Sequence, residues 1–450
     1  MECGVSKQSV RNLLEVGQGN EIAITAPSRK PLNYNGLRIH IDLIGEQLAS
    51  IGLTNSDRVA IVVPNGPEMA TAFLAVSSYM SAAPLNPSYK EAEYEFYLED
   101  LKPKLVIVEE NTSNPVVKAA KKLSIPIAKI SVDKDNAAGE FSLFETRKSI
   151  DIPSIEMEAL VLHTSGTTSR PKVVPLTQSN LVASAGNISD TLKLKEADHS
   201  LNIMPLFHIH GLIAVLCASI SAGSSVCCTP GFNALKFFEL ANSQKITWYS
   251  GVPTMHQAIL LRGQRQADVA KALNLRFIRS SSASLPPAVF DELTTLFNCP
   301  VIEAYGMTEA THQMSSNPLP PQKQKAGFVG LPAGPEVCIM DAAGNKLAEG
   351  EEGEVCIKGD NVTPGYDKNP EANSQSFTDG WFRTGDQGKF DEDGYLKITG
   401  RLKEIINRGG EKISPLEIDN VLMDHPAIQQ VVSFAVPDKS YGEEIGVAVV

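Results

Sequence analysis

The run Arg58-Val59-Ala60-Ile61-Val62-Val63 carries almost no residue that wants water on either face. A strand of this kind has to be covered on both sides, which is the condition of a parallel sheet layered with helices. Pro64-Asn65-Gly66 closes it, and a helix is expected from Pro67 to Met80. Upstream, Leu37, Ile41, Ile44, Leu48 and Ile51 line one helical face, with Gly52 as the stop. Downstream, Leu105–Val108, Ala159–Leu162, Asn202–Met204, Thr247–Ser250, Arg276–Arg279 and Pro300–Glu303 read as further buried strands. Strands separated by helices do not pair as hairpins, so an α/β fold of mainly parallel strands is expected.

Beyond about residue 326 the runs shorten and Gly and Asp turns recur. Glu354–Ile357, Gly388–Phe390 and Tyr395–Ile398 read as antiparallel strands, with Asp393-Gly394 as a hairpin turn. A last α+β unit is expected from Lys403, with a helix over Leu416–Met423 and a strand over Val431–Val436. The expected organisation is a large domain over 1–402 and the start of a small one over 403–450. The large domain divides into α/β subdomains over about 1–155 and 156–325 and a β-subdomain over 326–402.

Composition narrows the partners. There are 52 acidic and 40 basic residues among 450, a net charge of −12. Such a field does not attract nucleic acid or an anionic membrane surface, so an anionic ligand needs local cations and backbone N–H groups. The seven cysteines are odd in number and form no C-x-x-C, which points to a reducing compartment and a cytoplasmic location. The apolar stretch Leu212–Cys228 is broken by serines and Gly223 and is too short to insert in a membrane.

One loop carries chemistry. His163-Thr164-Ser165-Gly166-Thr167-Thr168-Ser169-Arg170-Pro171-Lys172 follows a buried strand and gathers hydroxyls and backbone donors around one glycine. Such a loop can surround phosphate oxygens, with Lys172 adding a mobile charge. It is not a Walker A loop, and by composition alone it reads equally as a Ser/Thr-rich surface turn.

Taken with other segments, the loop resembles the signature of the adenylate-forming enzymes, which include acyl-CoA synthetases, peptide-synthetase adenylation domains and luciferases. Pro205-Leu206-Phe207-His208, Tyr305-Gly306-Met307-Thr308-Glu309, Gly365-Tyr366, Trp381–Asp386 and Gly400-Arg401-Leu402-Lys403-Glu404 follow in that family's order. Within the family the chain is most similar to plant oxalate–CoA ligases, through His163–Arg170, Arg276–Leu285 and Glu303–Pro318. Val173 departs from the usual glycine, so either that site is extended or the loop is perturbed.

The resemblance implies a two-step ligase with ATP, Mg²⁺ and coenzyme A. A carboxylate attacks the α-phosphorus of ATP, and the thiol of coenzyme A then displaces AMP. It implies that Thr164, Ser165, Gly166, Thr167, Thr168 and Lys172 hold the β and γ phosphates. Thr308 would touch the α-phosphate and Glu309 would bind Mg²⁺; His208, Lys172, Thr308 and Glu309 form the implied catalytic set. Tyr305, flanked by Glu303 and Ala304, would stack on adenine opposite Ser282, Ala283 and Ser284. Asp386 and Arg401 would hold the ribose. Lys403 matches the hinge of the small domain, and Arg408, Gly409 and Gly410 would meet coenzyme A. Read singly, Tyr305 is also ordinary core, Asp386 a turn residue and Arg401 a surface charge.

By the same resemblance the acid site is lined by His208, His210, Arg279, Ser280, Gly306, Met307, Thr311 and His312. One obligate cation among imidazoles suits a second carboxylate and rejects a hydrocarbon tail. The implied activity is therefore oxalate–CoA ligation. The alternatives are a 4-coumarate–CoA ligase-like or other short-chain acyl-CoA synthetase, or a non-catalytic nucleotide-binding truncation product. Arg279 also reads as the partner of an acidic side chain, and His163 as support for the phosphate loop. The family's small domain is longer than 403–450, and its Pro-x-x-x-x-Gly-Lys motif does not occur after Lys403. On that reading a C-terminal segment, and any peroxisomal address in it, is expected beyond Val450.

Overall fold

The computed structural model describes residues 9–133, 135–164, 170–423, 425, 427–428 and 430–450. Two large sheets dominate. The first runs in the order Ile127–Ile130, Leu105–Glu109, Arg58–Val62, Ser81–Pro84, Glu158–His163, Val173–Thr177. Its inner strands are parallel, and only Val173–Thr177 runs antiparallel, at one edge. The helix Pro67–Tyr79 that covers it is mostly apolar and, apart from Glu68, buried on every side, as a helix between two layers must be.

The second sheet is ordered Leu331–Pro332, His312–Ser316, Val301–Met307, Phe277–Ser280, Trp248–Gly251, His199–Asn202, Ser225–Cys228, Ile22–Thr25, Leu32–Asn33. Its central strands are again parallel. The sheets do not respect the expected division near residue 155. Ile22–Thr25 crosses into the second sheet beside Ser225–Cys228, and Glu158–Thr177 supplies two strands to the first. Buried parallel strands are apolar on both faces, so their sequences do not say which neighbour they choose.

Smaller differences have local causes. The strand expected at Asn202–Met204 is His199–Asn202, because Asn202 turns its side chain back to accept the Met204 N–H ahead of Pro205. The apolar stretch after it is a π-helix, His210–Cys217, continued by Ala218–Ser221 and the strand Ser225–Cys228. Val173 is extended and pairs with His163, so no left-handed residue is needed there.

The β-subdomain sheet, Glu336–Met340, Gly353–Lys358, Trp381–Phe390, Phe377–Thr378 and Leu396–Arg401, is antiparallel. Gly394 takes φ 76° in the expected hairpin turn. The last unit pairs Ile406–Arg408, Glu411–Ile413, Val431–Asp438 and Gly442–Val449 beside the helix Pro415–Met423. Among the described residues no helix is long and apolar enough to cross a membrane.

Candidate active site

The stretch 303–313 joins two clusters of polar side chains. Its strand Val301–Met307 ends in a short 3₁₀ turn at Thr308–Ala310, then reverses into His312–Ser316. The reversal is tight. Thr311 and His312 have φ of 49° and 96°, and a side chain at Gly306 would collide with the His312 carbonyl oxygen. Two consecutive non-glycine residues at positive φ hold strain that the surrounding bonds must fix. Ser184 and Asn361 do so: Ser184 Oγ donates to the Thr311 carbonyl at 2.5 Å and Thr311 Oγ1 donates to the Asn361 carbonyl at 2.7 Å. Thr311 is therefore committed to backbone and braces the turn.

On one side of this stretch lies a cluster of paired charges. The Tyr305 hydroxyl donates to Asp386 Oδ2, and Arg401 Nε donates to Asp386 Oδ1 at 3.0 Å. Asp386 sits on the strand Trp381–Phe390 in direct register with Arg401. Burial first, then the Asp386 charge, pushes the Tyr305 phenol well above its ordinary value, so it stays a donor. Glu309 is 6% exposed, and its Oε1 accepts the Tyr366 hydroxyl at 2.8 Å. The Lys172 ammonium lies 4.2 Å from the centre of the Tyr366 ring. Burial lowers the Lys172 pKa, the Lys403 charge adds to that, and Glu309 opposes it. Burial raises that of Glu309, against the Tyr366 hydrogen bond and the Lys172 charge.

The neck of the Ser/Thr-rich loop is closed by two bonds between its ends. Thr164 N–H donates to the Lys172 carbonyl at 2.9 Å, and Lys172 N–H donates to Thr164 Oγ1 at 3.0 Å. Ser165, Gly166, Thr167 and Thr168 lie outside the described residues. His163 Nε2 is 2.9 Å from Asp100 Oδ2, beneath that neck. Ser282, Ala283 and Ser284 form an exposed turn after Phe277–Ser280, with Ser282 at φ 73°.

On the other side lies a cluster with one guanidinium. Arg279 is fully buried. Its Nη1 donates to Ser250 Oγ at 3.4 Å, and its Nη2 donates to Gln313 Oε1 at 3.3 Å and His312 Nδ1 at 3.5 Å. All three acceptors are neutral, the bonds are long, and Nε has no partner. Burial brings the Arg279 pKa down to about 9, which leaves it charged at neutral pH. His210 is also fully buried, with Nε2 2.6 Å from Ser250 Oγ and Nδ1 3.0 Å from Ser282 Oγ. The His210 and His312 rings are 4.9 Å apart. Burial first holds both imidazoles neutral, aided at His210 by His312 and then Arg279, and at His312 by the Arg279 charge. His208 Nδ1 accepts the His210 N–H at 3.3 Å.

Ser280 does not join this group. Neighbouring residues of a strand face opposite sides, and Ser280 is in register with Glu303 while Arg279 is in register with Ile302. Ser280 Oγ and Glu303 Oε2 are both buried without a partner on that other face. Burial lifts the Glu303 carboxyl to about 7, and its Oε1 accepts the Leu285 N–H at 3.0 Å. Arg408, Gly409 and Gly410 form a separate turn. Arg408 is paired with Glu444 at 2.7 Å, and the glycines take φ of 61° and 100°.

Sequence reasoning passed over Ser250, Gln313 and Tyr366 as site residues. Tyr366 stood in a quoted motif, which was a usable signal. Ser250 and Gln313 lay in segments already noted, Thr247–Ser250 and Glu303–Pro318, but nothing local marks either side chain as a partner of Arg279.

Comparison with known proteins identifies the family. A family described as AMP-binding enzyme matches residues 15–367. The chain is 45% identical to the oxalate–CoA ligase of Arabidopsis thaliana, covering 95% of this chain and 87% of that one. It is 43% identical to the oxalate–CoA ligase of Saccharomyces cerevisiae, over 88% and 77%. The ATP-bound crystal structure of MatB from Rhodopseudomonas palustris superposes with a TM-score of 0.88 at 26% identity, covering 98% of this chain and 88% of that one.

Proposed function

This chain belongs to the AMP-binding enzyme family, and on that premise we propose that it is an AMP-forming oxalate–CoA ligase. In this reading one carboxylate of oxalate attacks the α-phosphorus of ATP and pyrophosphate leaves. The thiol of coenzyme A then attacks the acyl carbon, and oxalyl-CoA and AMP are released.

The observation that carries the substrate is Arg279, a fully buried guanidinium that among the described residues meets only neutral acceptors, with its Nε–H and one Nη1–H left over. A buried cation without a counter-ion is costly, and an anionic ligand relieves it. Opposite charges about 4 Å apart attract by roughly 4 kcal/mol at an effective dielectric near 20. One carboxylate of oxalate must stay free to attack phosphorus, so the other takes Arg279, which can grip it with two parallel bonds. Neutral His210 and His312 close the short site, and His208 orients the attacking carboxylate. A hydrocarbon tail would leave all these groups unpaired.

The paired cluster suits the nucleotide. Asp386 and Arg401 would take the ribose hydroxyls, Tyr305 the adenine face and Thr308 the α-phosphate, with 164–172 around the β and γ phosphates. Glu309 offers one nearly buried carboxylate beside Lys172. That fits Mg²⁺, which binds through one or two carboxylates plus phosphate oxygens and keeps several waters. When bound, the ion neutralises phosphate charge. Lys403 would act as hinge, and the Arg408–Gly410 turn would meet coenzyme A.

The test is acid-dependent pyrophosphate release with oxalate, acetate, malonate and 4-coumarate. Oxalate is expected to give the highest kcat/KM. An equal value for 4-coumarate would remove the dicarboxylate reading.

A further inference from the structure

A buried arginine usually gains a carboxylate partner. Around Arg279, among the described residues, that place is taken by an amide: Gln313, fully buried, is the second residue of the strand His312–Ser316. Its Nε2 donates to the Ala333 carbonyl at 3.0 Å and to Thr191 Oγ1 at 3.1 Å. A backbone carbonyl can only accept, so the nitrogen must face Ala333 and the oxygen must face Arg279. Thr191 Oγ1 donates in turn to the Asn187 carbonyl at 2.6 Å, which leaves its lone pairs for Gln313. The amide is therefore locked from behind, with one acceptor aimed at Nη2.

A glutamate has nearly the same shape as a glutamine but would neutralise the guanidinium. The amide holds the arginine in place and leaves its charge uncompensated. The nearest carboxyl along the sheet, Glu303, belongs to the opposite face. We propose that Gln313 is a specificity-determining positioning residue: it orients Arg279 while reserving its charge for the second carboxylate of the acid. This inference rests on the dicarboxylate reading of the site.

Gln313→Glu and Gln313→Met both lose the two anchoring bonds, and only the first adds a charge. Gln313→Glu is expected to lower kcat/KM for oxalate by about 30-fold or more through KM, because the internal ion pair competes with substrate. KM for ATP should stay within about twofold, and the oxalate-over-acetate preference should collapse. Gln313→Met should stay within about tenfold of wild type on oxalate and keep that preference, since Arg279 remains uncompensated. Thr191→Val releases one anchor from outside the site and should raise KM for oxalate about threefold with ATP unaffected. That variant keeps the test open if position 313 tolerates no change.

The inference fails if Gln313→Glu retains its oxalate preference, if Gln313→Met loses it equally, or if Thr191→Val leaves KM for oxalate unmoved. Arg279→Met in the same series separates the two levels. If Arg279→Met keeps oxalate activity, the dicarboxylate reading itself falls. If it loses that activity while Gln313→Glu does not, only the role of Gln313 falls.

Discussion

The stretch 303–313 borders two clusters that treat charge in opposite ways. In the cluster around Asp386 the carboxylates are partnered: Asp386 has Arg401 and Tyr305, and Glu309 has Tyr366 with Lys172 close by. In the cluster around Arg279 that guanidinium has, among the described residues, only neutral acceptors. A paired cluster is rigid before ligand arrives, and a ligand must exchange with partners already there. An unpaired buried charge is held at a cost that only the right ligand removes. Glu303 is the mirror case, a buried carboxyl without a cation. It cannot meet Arg279 because the register places them on opposite faces of the sheet; a one-residue slip would have paired them.

The largest effect should come from removing the unpaired charge. Arg279→Met is expected to cost about 3–5 kcal/mol in oxalate kcat/KM, the loss of two charge-assisted bonds, with AMP affinity nearly intact. Parallel oxalate kinetics and AMP calorimetry measure both, and a joint loss would erase the contrast between the clusters.

The same contrast should appear in pH. The cation binds, and Arg279 releases its proton near pH 9 in the free protein. Oxalate kcat/KM should therefore fall as pH rises through about 9, up to tenfold per unit, while AMP affinity shows no break there. A flat oxalate profile to pH 10.5 would contradict an Arg279 pKa of about 9.

Glu303 gives a stability test. Its carboxyl titrates near 4.5 when unfolded and near 7 when folded. Between those values the folded chain holds the extra proton, so this group's contribution to stability is lost as pH rises through about 7. Gln keeps the acceptor for the Leu285 N–H and never ionises. Glu303→Gln should thus raise stability at pH 8 by up to about 3 kcal/mol, with the gain vanishing toward pH 4.5. Denaturant melts at both pH values decide it; a gain independent of pH would point to another cause.

In the paired cluster, Asp386→Ala should weaken AMP by roughly 1–3 kcal/mol and leave the acid preference unchanged. Unaltered AMP affinity in a folded variant would take Asp386 out of the nucleotide site. The smallest effect belongs to Tyr366→Phe, which keeps the ring under Lys172 and removes the donor to Glu309. The Glu309 pKa should rise further, so Mg²⁺-dependent ATP affinity falls by about 1 kcal/mol at the acidic end of a pH series and recovers as pH rises. Equal Mg²⁺ dependence across that series would show that the hydroxyl does not matter.

The paired cluster was largely legible in the sequence, because short motifs carry their own partners. Tyr305 and Glu309 sit in one run, Asp386 and Arg401 in two others, and the alternating helices and strands at Arg58–Val62 and Pro67–Tyr79 follow from local apolar periodicity. The residue set around Arg279 was half legible: the histidines and the obligate cation were visible, but not that burial keeps His210 and His312 neutral. Ser280 was misplaced because its adjacency to Arg279 was taken as a shared site, whereas neighbouring residues of a strand face opposite sides.

What the sequence determined by itself is whatever depends on near neighbours: buried runs, helix faces, the hairpin at Asp393-Gly394 and the order of the motifs. What only the tertiary structure decided is which strands pair across the two sheets, which face each side chain takes, and that Gln313, from a strand of its own, supplies the neutral acceptor for Arg279. Parallel strands pair over long sequence separations, and an apolar run carries no label for its partner. The charge state of a buried group likewise depends on everything packed around it, which no local pattern contains.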